Sequence, residues 1–159
     1  MSKGKDTDKH TDKHTDKDTD KDTEGNQSAP AADPGDDPPL LQAPLTAASI
    51  AGRVRRALDA ADLDEFAALL SPDVQWGAPG DPTPPCRNRD QVLRWYAKGR
   101  AKGRRATVTE VEVHGNALLV GVTLEDGDER WQVMRVGPQG VNDIRCYEDR
   151  PSAVDQLSR

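Results

Sequence analysis

Two amphipathic helices are predicted where the polar N-terminal part of the chain gives way to regular apolar spacing. The first covers residues 46–60, and its apolar positions recur every three to four residues. They form one stripe: Ile50, Val54, Leu58 and Ala61. A second helix is predicted after Asp62, a capping residue with Glu65 three positions later in a capping-box pattern. Its apolar side consists of Leu63, Phe66, Leu69 and Leu70.

A short strand over residues 74–78 is predicted next, followed by a third helix. Four prolines between residues 79 and 85 leave no regular structure in the connection. The third helix is predicted over residues 88–98, with Gly99 and Gly103 marking its end. The order so far is therefore helix, helix, strand, helix.

Four strands are predicted over residues 107–147, because apolar and polar residues alternate between three turn sequences. Alternation puts Thr107, Thr109, Val111 and Val113 on one face of the first of them. Val141 and Ile144 are three positions apart, which predicts a bulge in the last strand. Residues 131–136 carry apolar side chains on both faces, so the pattern leaves open which face is buried. The last predicted element is a short helix from Pro151 to Leu157.

The N-terminal 44 residues have a different composition. Only three alanines are apolar between Ser2 and Pro39, and residues 7–22 are a tetrapeptide repeat of Thr, Asp, Lys and His or Asp. Such a segment cannot bury enough surface to offset the entropy of ordering it. We therefore expect a disordered, solubilising tail with a Pro-rich linker over residues 1–44, and one folded domain over residues 45–159.

The charge and the cysteine content of the chain limit which partners and cofactors are expected. Residues 1–37 carry eleven acids and six lysines, so a net charge of −1 remains for the rest of a chain whose total is −6. No apolar run is long enough to span a bilayer, and the N-terminus lacks a secretory pattern. Cys86 and Cys146 have no neighbouring Cys or His at ligand spacing. We expect a cytoplasmic protein without a membrane partner, a bound metal or a cofactor.

One basic segment raises the question of nucleic-acid binding. It consists of Arg94, Lys98, Arg100, Lys102, Arg104 and Arg105. Trp95 and Tyr96 lie beside it, but the folded part is nearly neutral and no stacking platform repeats along the strands. We interpret the segment as a solvated helix end and loop, and we expect no nucleic-acid partner.

Three segments give the chain its resemblance to a known superfamily. Residues 58–76 contain LDAADL and DVQW, residues 89–96 contain RDQV followed by WY, and residues 140–150 contain the last predicted strand and Asp-Arg. In this order they resemble nuclear transport factor 2-like (NTF2-like) domains, most closely the SnoaL-like group, over residues 46–157. The resemblance implies an α+β cone in which three N-terminal helices pack on a curved, mostly antiparallel sheet around an apolar cavity. It also implies a homodimer.

The superfamily that the chain resembles includes enzymes. Two catalytic interpretations can therefore be tested against the residues of this chain. The base of ketosteroid isomerases aligns with Ala78 and their phenol with Val54, and neither side chain can do that chemistry. Polyketide cyclases of the SnoaL type use an acidic side chain in the cavity, and Asp143 is the nearest candidate. Asp143 at a bulge facing water is the alternative.

The aromatic residues Trp76, Tyr96 and Trp131 are the candidates for ligand binding, because a cavity for a flat, apolar molecule needs aromatic walls with polar tips. Packing in the core or at a dimer face is the alternative for each. We therefore expect a domain that binds a small apolar or aromatic ligand, with catalysis open. A non-catalytic dimeric interaction module is the second hypothesis.

Overall fold

The computed structural model describes residues 43–159. The predicted tail and linker, residues 1–44, lie almost entirely outside the described residues, so the domain boundary remains a prediction. The described elements, in chain order, are α1 (Ala47–Asp59), α2 (Leu63–Leu69), β1 (Leu70–Gly77), α3 (Arg89–Ala101), β2 (Ala106–His114), β3 (Ala117–Leu124), β4 (Glu129–Gly137), β5 (Gly140–Tyr147) and α4 (Arg150–Leu157). This order matches the one that the sequence pattern predicts.

Side-chain caps fix the helix starts. Thr46 and Ser49 cap α1 reciprocally, each side chain accepting a hydrogen bond from the other's backbone N–H. The Asp62 carboxylate accepts from the backbone amides of Asp64 and Glu65, as predicted for a cap. Glu65 does not close the capping box, because its carboxylate pairs with Arg53 of α1 at 2.8 Å. This ion pair links the first two helices.

The five strands form one mixed sheet in the order β1-β5-β4-β3-β2. β1 pairs with β5 in parallel, and the other three pairings are antiparallel. The predicted set of three N-terminal helices differs from the described arrangement. Two helices precede β1, α3 follows it, and α4 joins them as a fourth helix packed on the sheet. None of the described helices is long and apolar enough to cross a membrane.

The sheet separates two apolar clusters. The larger one packs α1, α2 and α3 on one face of the sheet, which we call the helix face. The smaller one packs Ala153, Val154 and Leu157 of α4 on the other face, which we call the outer face. Trp131 and Val133 of β4 belong to the outer face, whereas Met134 belongs to the helix face.

Two bulges decide which side chains reach each face. On β5, Val141 pairs with Val136 and Asp143 with Arg135, so Asn142 is the extra residue and the predicted bulge is confirmed. On β2, Val108 pairs with Val122 and Glu110 with Gly121, so Thr109 is extra. The second bulge shifts the alternation by one residue. The prediction of a single face for residues 107–113 is therefore wrong.

Candidate functional site

Three aromatic side chains meet where α3 crosses β1 on the helix face. The ring centroids of Trp76 and Trp95 are 4.0 Å apart, and those of Trp95 and Tyr96 are 5.5 Å apart in an edge-to-face arrangement. Trp95 is 43% exposed, whereas Trp76 and Tyr96 are half-buried against the larger core. We call these three residues the aromatic cluster. It brings one exposed ring and two half-buried rings to one place.

The polar tip of Tyr96 is held inside the domain. Its hydroxyl donates a hydrogen bond to the side-chain oxygen of Gln132 over 3.3 Å, and Phe66 packs against its ring with centroids 5.1 Å apart. Burial raises the pKa of Tyr96 well above its usual range, and the Gln132 hydrogen bond only partly opposes this. The phenol therefore stays protonated at neutral pH and acts as a hydrogen-bond donor.

The indole nitrogen of Trp76 is the polar group that the described structure leaves unsatisfied. Nε1 is buried, and no described oxygen or nitrogen accepts a hydrogen bond from it. The Cys146 thiol lies close enough for the indole to lower its pKa, but sulfur is only a weak acceptor. Leaving a buried donor without an acceptor costs about 1–3 kcal/mol. An acceptor atom on a bound molecule would remove this cost.

Two thiols lie near the aromatic cluster. Cys146 is on β5, and burial raises its pKa to about 11, an effect that the Trp76 side chain partly opposes. Cys86 is in the loop after β1, is 5% exposed, and also has its pKa raised by burial. Both are neutral thiols at neutral pH, which makes them poor nucleophiles. They contribute packing and weak polarity to the site.

The loop between β1 and α3 is fastened to β1 beside the aromatic cluster. Trp76 and Cys86 exchange two backbone hydrogen bonds, of 2.9 and 3.3 Å. Gly77 allows this approach, because a Cβ at that position would lie 2.9 Å from Cβ of Pro84. The loop therefore fixes the position of the Trp76 backbone from the side opposite to β5.

Asp143 lies on the outer face, away from the aromatic cluster. Its carboxylate accepts from Nε of Arg145 at 3.0 and 3.1 Å, and an ion pair of 2.9 Å forms with Nη2. Nη1 of Arg145 also donates to the carbonyls of Ala78 and Asp81, at 3.0 and 3.1 Å. Asp143 thus orients an arginine that ties β5 to the loop after β1.

A cavity of about 300 Å³ opens beside this ion pair. We call it the outer-face cavity, and its lining residues are Gly80, Asp81, Val133, Arg135, Asp143, Arg145, Tyr147 and Gln156. Four of these side chains are charged, so this cavity is polar rather than apolar. The apolar cavity that the resemblance implies on the helix face remains a prediction.

Trp131 packs in the smaller cluster on the outer face. The Arg150 guanidinium carbon lies 5.6 Å from the centroid of its ring, a cation–π arrangement. On the other side the ring covers Gly121, where a Cβ would be only 2.7 Å from it. The structure therefore places Trp131 with α4, and not with Trp76 and Tyr96.

Of the four predicted site residues, Trp76 and Tyr96 share one site, whereas Asp143 and Trp131 lie on the opposite face of the sheet. Sequence reasoning missed Trp95 and Gln132 as partners in the site on the helix face. Gln132 has a sequence signal, since it is polar in a largely apolar strand. Residues 43–159 contain no group of three or more His, Cys, Asp or Glu side chains that could hold a metal ion.

The family of the chain follows from a match to a family model. The model of the SnoaL-like domain matches residues 51–141, which is more than half of the chain. The chain therefore belongs to the SnoaL-like family and has an NTF2-like fold. No curated protein matches the sequence significantly.

Solved structures agree on the fold. A candidate ketosteroid isomerase from Kribbella flavida is 24% identical, with a TM-score of 0.54, over 65% of this chain and 78% of that one. A candidate polyketide cyclase from Sinorhizobium meliloti is 14% identical, with a TM-score of 0.51, over 65% and 100%. An NTF2-like protein of unknown function from Cytophaga hutchinsonii is 10% identical, with a TM-score of 0.53, over 72% and 99%. At these identities the likeness concerns the fold alone.

Proposed function

We propose that this SnoaL-like domain binds a small, flat and largely apolar molecule at the aromatic cluster on the helix face. The observation that carries the proposal is the buried indole N–H of Trp76, which has no oxygen or nitrogen acceptor among the described residues and only the weak acceptor sulfur of Cys146 beside it. Beside it, Tyr96 and Gln132 provide a fixed pair of polar tips, and Trp95 provides an exposed ring. Aromatic walls with a few placed polar groups are typical of small-molecule sites.

The exposed position of Trp95 suggests how the ligand would enter. Trp95 is 43% exposed, and its ring packs against that of Trp76 with centroids 4.0 Å apart and planes tilted by 39°, so a ligand ring could replace it at little cost in core packing. A flat ligand would take the place of Trp95 against Trp76 and present an acceptor oxygen to Nε1. This argues for a ring compound that carries a carbonyl or ether oxygen.

The names of two structural neighbours support the same ligand class. One is named for ketosteroids and the other for polyketides. Ketosteroids by definition combine fused rings with a carbonyl oxygen, the two features that the aromatic cluster favours. Steroids, aromatic polyketides and fatty acids are therefore the compounds to test first.

The chemistry of the helix face favours binding over turnover. Among the described residues, the buried polar side chains are Ser71 and Gln132, and no Asp, Glu or His is buried. The titratable groups beside the aromatic cluster are Tyr96, Cys86 and Cys146, each with a pKa raised by burial. None of these is a proton acceptor at neutral pH, and general base catalysis needs one.

An enzyme that uses Asp143 is the alternative function, and the location of Asp143 in a cavity is the observation in its favour. The bidentate contact with Arg145 instead suggests that Asp143 positions the arginine. If Asp143 is catalytic, Asp143→Asn abolishes turnover of a substrate found by screening while the melting temperature stays near that of wild type. Retained turnover would remove the assignment.

A homodimer is the expected assembly, and an interaction module is the other alternative. Pairing through the outer face would have to accommodate α4, which packs against β3, β4 and β5. The carboxylates of Glu110 and Glu112 on β2 are bound by Arg150 of α4, which makes that part of the face polar. We propose a homodimer, and light scattering would measure its mass. We propose that binding of the small molecule does not depend on dimer formation.

A thermal-shift screen of the full chain tests the proposed function. A ligand bound only by the folded state raises stability, by about 2.7 kcal/mol at a concentration of 100 times Kd. We expect at least one ring compound with a carbonyl to raise the Tm of wild type, and Trp76→Phe to reduce that shift. Trp131→Phe is the matched control and should retain it. The proposal is wrong if no compound raises the Tm, or if both variants lose the shift equally.

A further inference from the structure

We propose that the outer-face cavity is a second binding site, for a small carboxylate held by the Arg135 guanidinium and the Tyr147 hydroxyl. The two residues lie on neighbouring strands, β4 and β5, and both line the cavity of about 300 Å³. This site is on the opposite face of the sheet from the aromatic cluster. The inference therefore stands independently of the proposed function.

Arg135 has unused hydrogen-bonding capacity. Its Nη2 donates to the backbone carbonyl of Gln156 at 3.2 Å, and within residues 43–159 the guanidinium forms no other hydrogen bond or ion pair. A guanidinium presents five N–H donors in a planar fork that matches a carboxylate. Most of this fork is therefore free to bind an anion in the cavity.

The acids nearest to Arg135 are already engaged. Asp143 is its direct partner across the strands, but the carboxylate of Asp143 is held by Arg145. The other acid is Asp81, whose carboxylate accepts from the backbone amide of Thr83 at 2.9 Å and from its hydroxyl at 3.5 Å. One positive group is therefore left without a carboxylate partner among the described residues.

Tyr147, which lines the same cavity as Arg135, supplies a neutral donor. No hydrogen bond within the described residues involves its hydroxyl, although the residue is only 8% exposed. Burial and then the charge of Asp143 raise its pKa, while Arg135 and Arg145 oppose the shift. The phenol is therefore protonated at neutral pH and can donate to an anion. Both arginines line the same cavity as Tyr147.

The walls of the cavity define the rest of the ligand. Val133 and the ring of Tyr147 add apolar surface next to the polar groups. A volume of about 300 Å³ is at the lower end of small-molecule sites. A monocarboxylate with one ring, such as benzoate, has the required charge, size and flat apolar part.

Titration of the full chain with sodium benzoate, against sodium chloride at equal ionic strength, tests this site. We expect saturable binding by calorimetry or NMR. Arg135→Gln should weaken it about tenfold or more, because a charge-assisted bidentate contact is lost. Tyr147→Phe should weaken it by a smaller factor while keeping the ring. Arg130→Gln, on the same strand but outside the cavity, is the matched control and should bind like wild type.

Two further results decide the outcome. Trp76→Phe should retain benzoate binding, which separates this site from the aromatic cluster. If Arg135→Gln lowers the Tm, its weaker binding could reflect a less stable fold. Tyr147→Phe then tests the site, because this variant keeps the Arg135 guanidinium. The inference is overturned if wild type shows no saturable binding, or if Arg130→Gln weakens it as much as Arg135→Gln does.

Discussion

Gly77 lies so close to Pro84 that no larger residue fits between β1 and the loop after it. A Cβ built on Gly77 would be 2.9 Å from Cβ of Pro84 and 3.1 Å from Cδ of Pro85. The same loop returns to β1 through the backbone pair of Trp76 and Cys86. The sequence Trp-Gly, followed by Pro-Pro-Cys, therefore encodes one wall of the proposed ligand site.

Gly77→Ala should destabilise the domain because the methyl group forces this loop away from β1. Overpacking of this kind costs about 1–3 kcal/mol. Chemical denaturation measures the free energy of unfolding. Gly99→Ala is the matched control, since a Cβ on Gly99 in α3 meets nothing within 4 Å. It should leave stability unchanged or raise it by up to about 1 kcal/mol. Equal effects of the two substitutions would contradict the packing argument.

The order of elements could be predicted from the sequence, because apolar periodicity reports helices and strands directly. The face of each strand was harder to predict. The bulge in β5 was readable, since Val141 and Ile144 are both buried and are three apart. The bulge at Thr109 was not, since alternation continues through it in the sequence and only the pairing with β3 reveals the extra residue.

The site was only half predictable for a related reason. Residues 131–136 are apolar on both faces, so the sequence could not say that Trp131 faces α4. A signal existed in Gly121 of β3, because a glycine inside a strand often marks the close approach of a large group. Trp131 covers that glycine. Pairing of β3 with β4 was needed to connect the two residues.

Arg145→Gln should loosen the loop after β1. The arginine donates to the carbonyls of Ala78 and Asp81 and pairs with Asp143, and the substitution removes the charge that links them. We expect a loss of about 1–3 kcal/mol, as for a hydrogen-bonded partner left unpaired. Hydrogen exchange should rise in residues 78–86 and stay unchanged in α1. Unchanged exchange in the loop would show that Arg145 does not hold it.

Attachment of α4 should weaken in acid. A proton shared with the neighbouring carboxyl of Glu110, and hydrogen bonds from His114 and Arg150, lower the pKa of Glu112 to about 2 from a usual value of 4.5. A carboxylate with a lowered pKa contributes stability above its unfolded pKa and loses it as the pH falls toward its folded pKa. The stability difference between wild type and Glu112→Gln should therefore be full at pH 6 and shrink between about pH 4.5 and 2. A difference that is constant over this range would contradict the assignment.

Removal of Trp95 should expose the ring beneath it. Trp95 is 43% exposed and packs against Trp76 with the ring planes tilted by 39°, so Trp95→Ala costs little core packing but opens Trp76 to water. The emission of Trp76 should shift to longer wavelength and become easier to quench with acrylamide. Trp95→Ala is compared with Trp95→Phe, both in a Trp131→Phe background, so that Trp76 is the single tryptophan in each protein. Emission that is unchanged would mean that Trp95 does not cover Trp76.

The indole N–H resonances of the three tryptophans test the central claim most directly. Each ¹H–¹⁵N cross-peak is assigned by a single Trp→Phe substitution and followed during titration with a ring compound that raises the Tm. Binding at the aromatic cluster predicts a saturable downfield shift of the Trp76 peak, because its N–H gains an acceptor, while the Trp131 peak stays in place. A Trp76 peak that does not move at saturating ligand, or a larger shift at Trp131, would contradict the account.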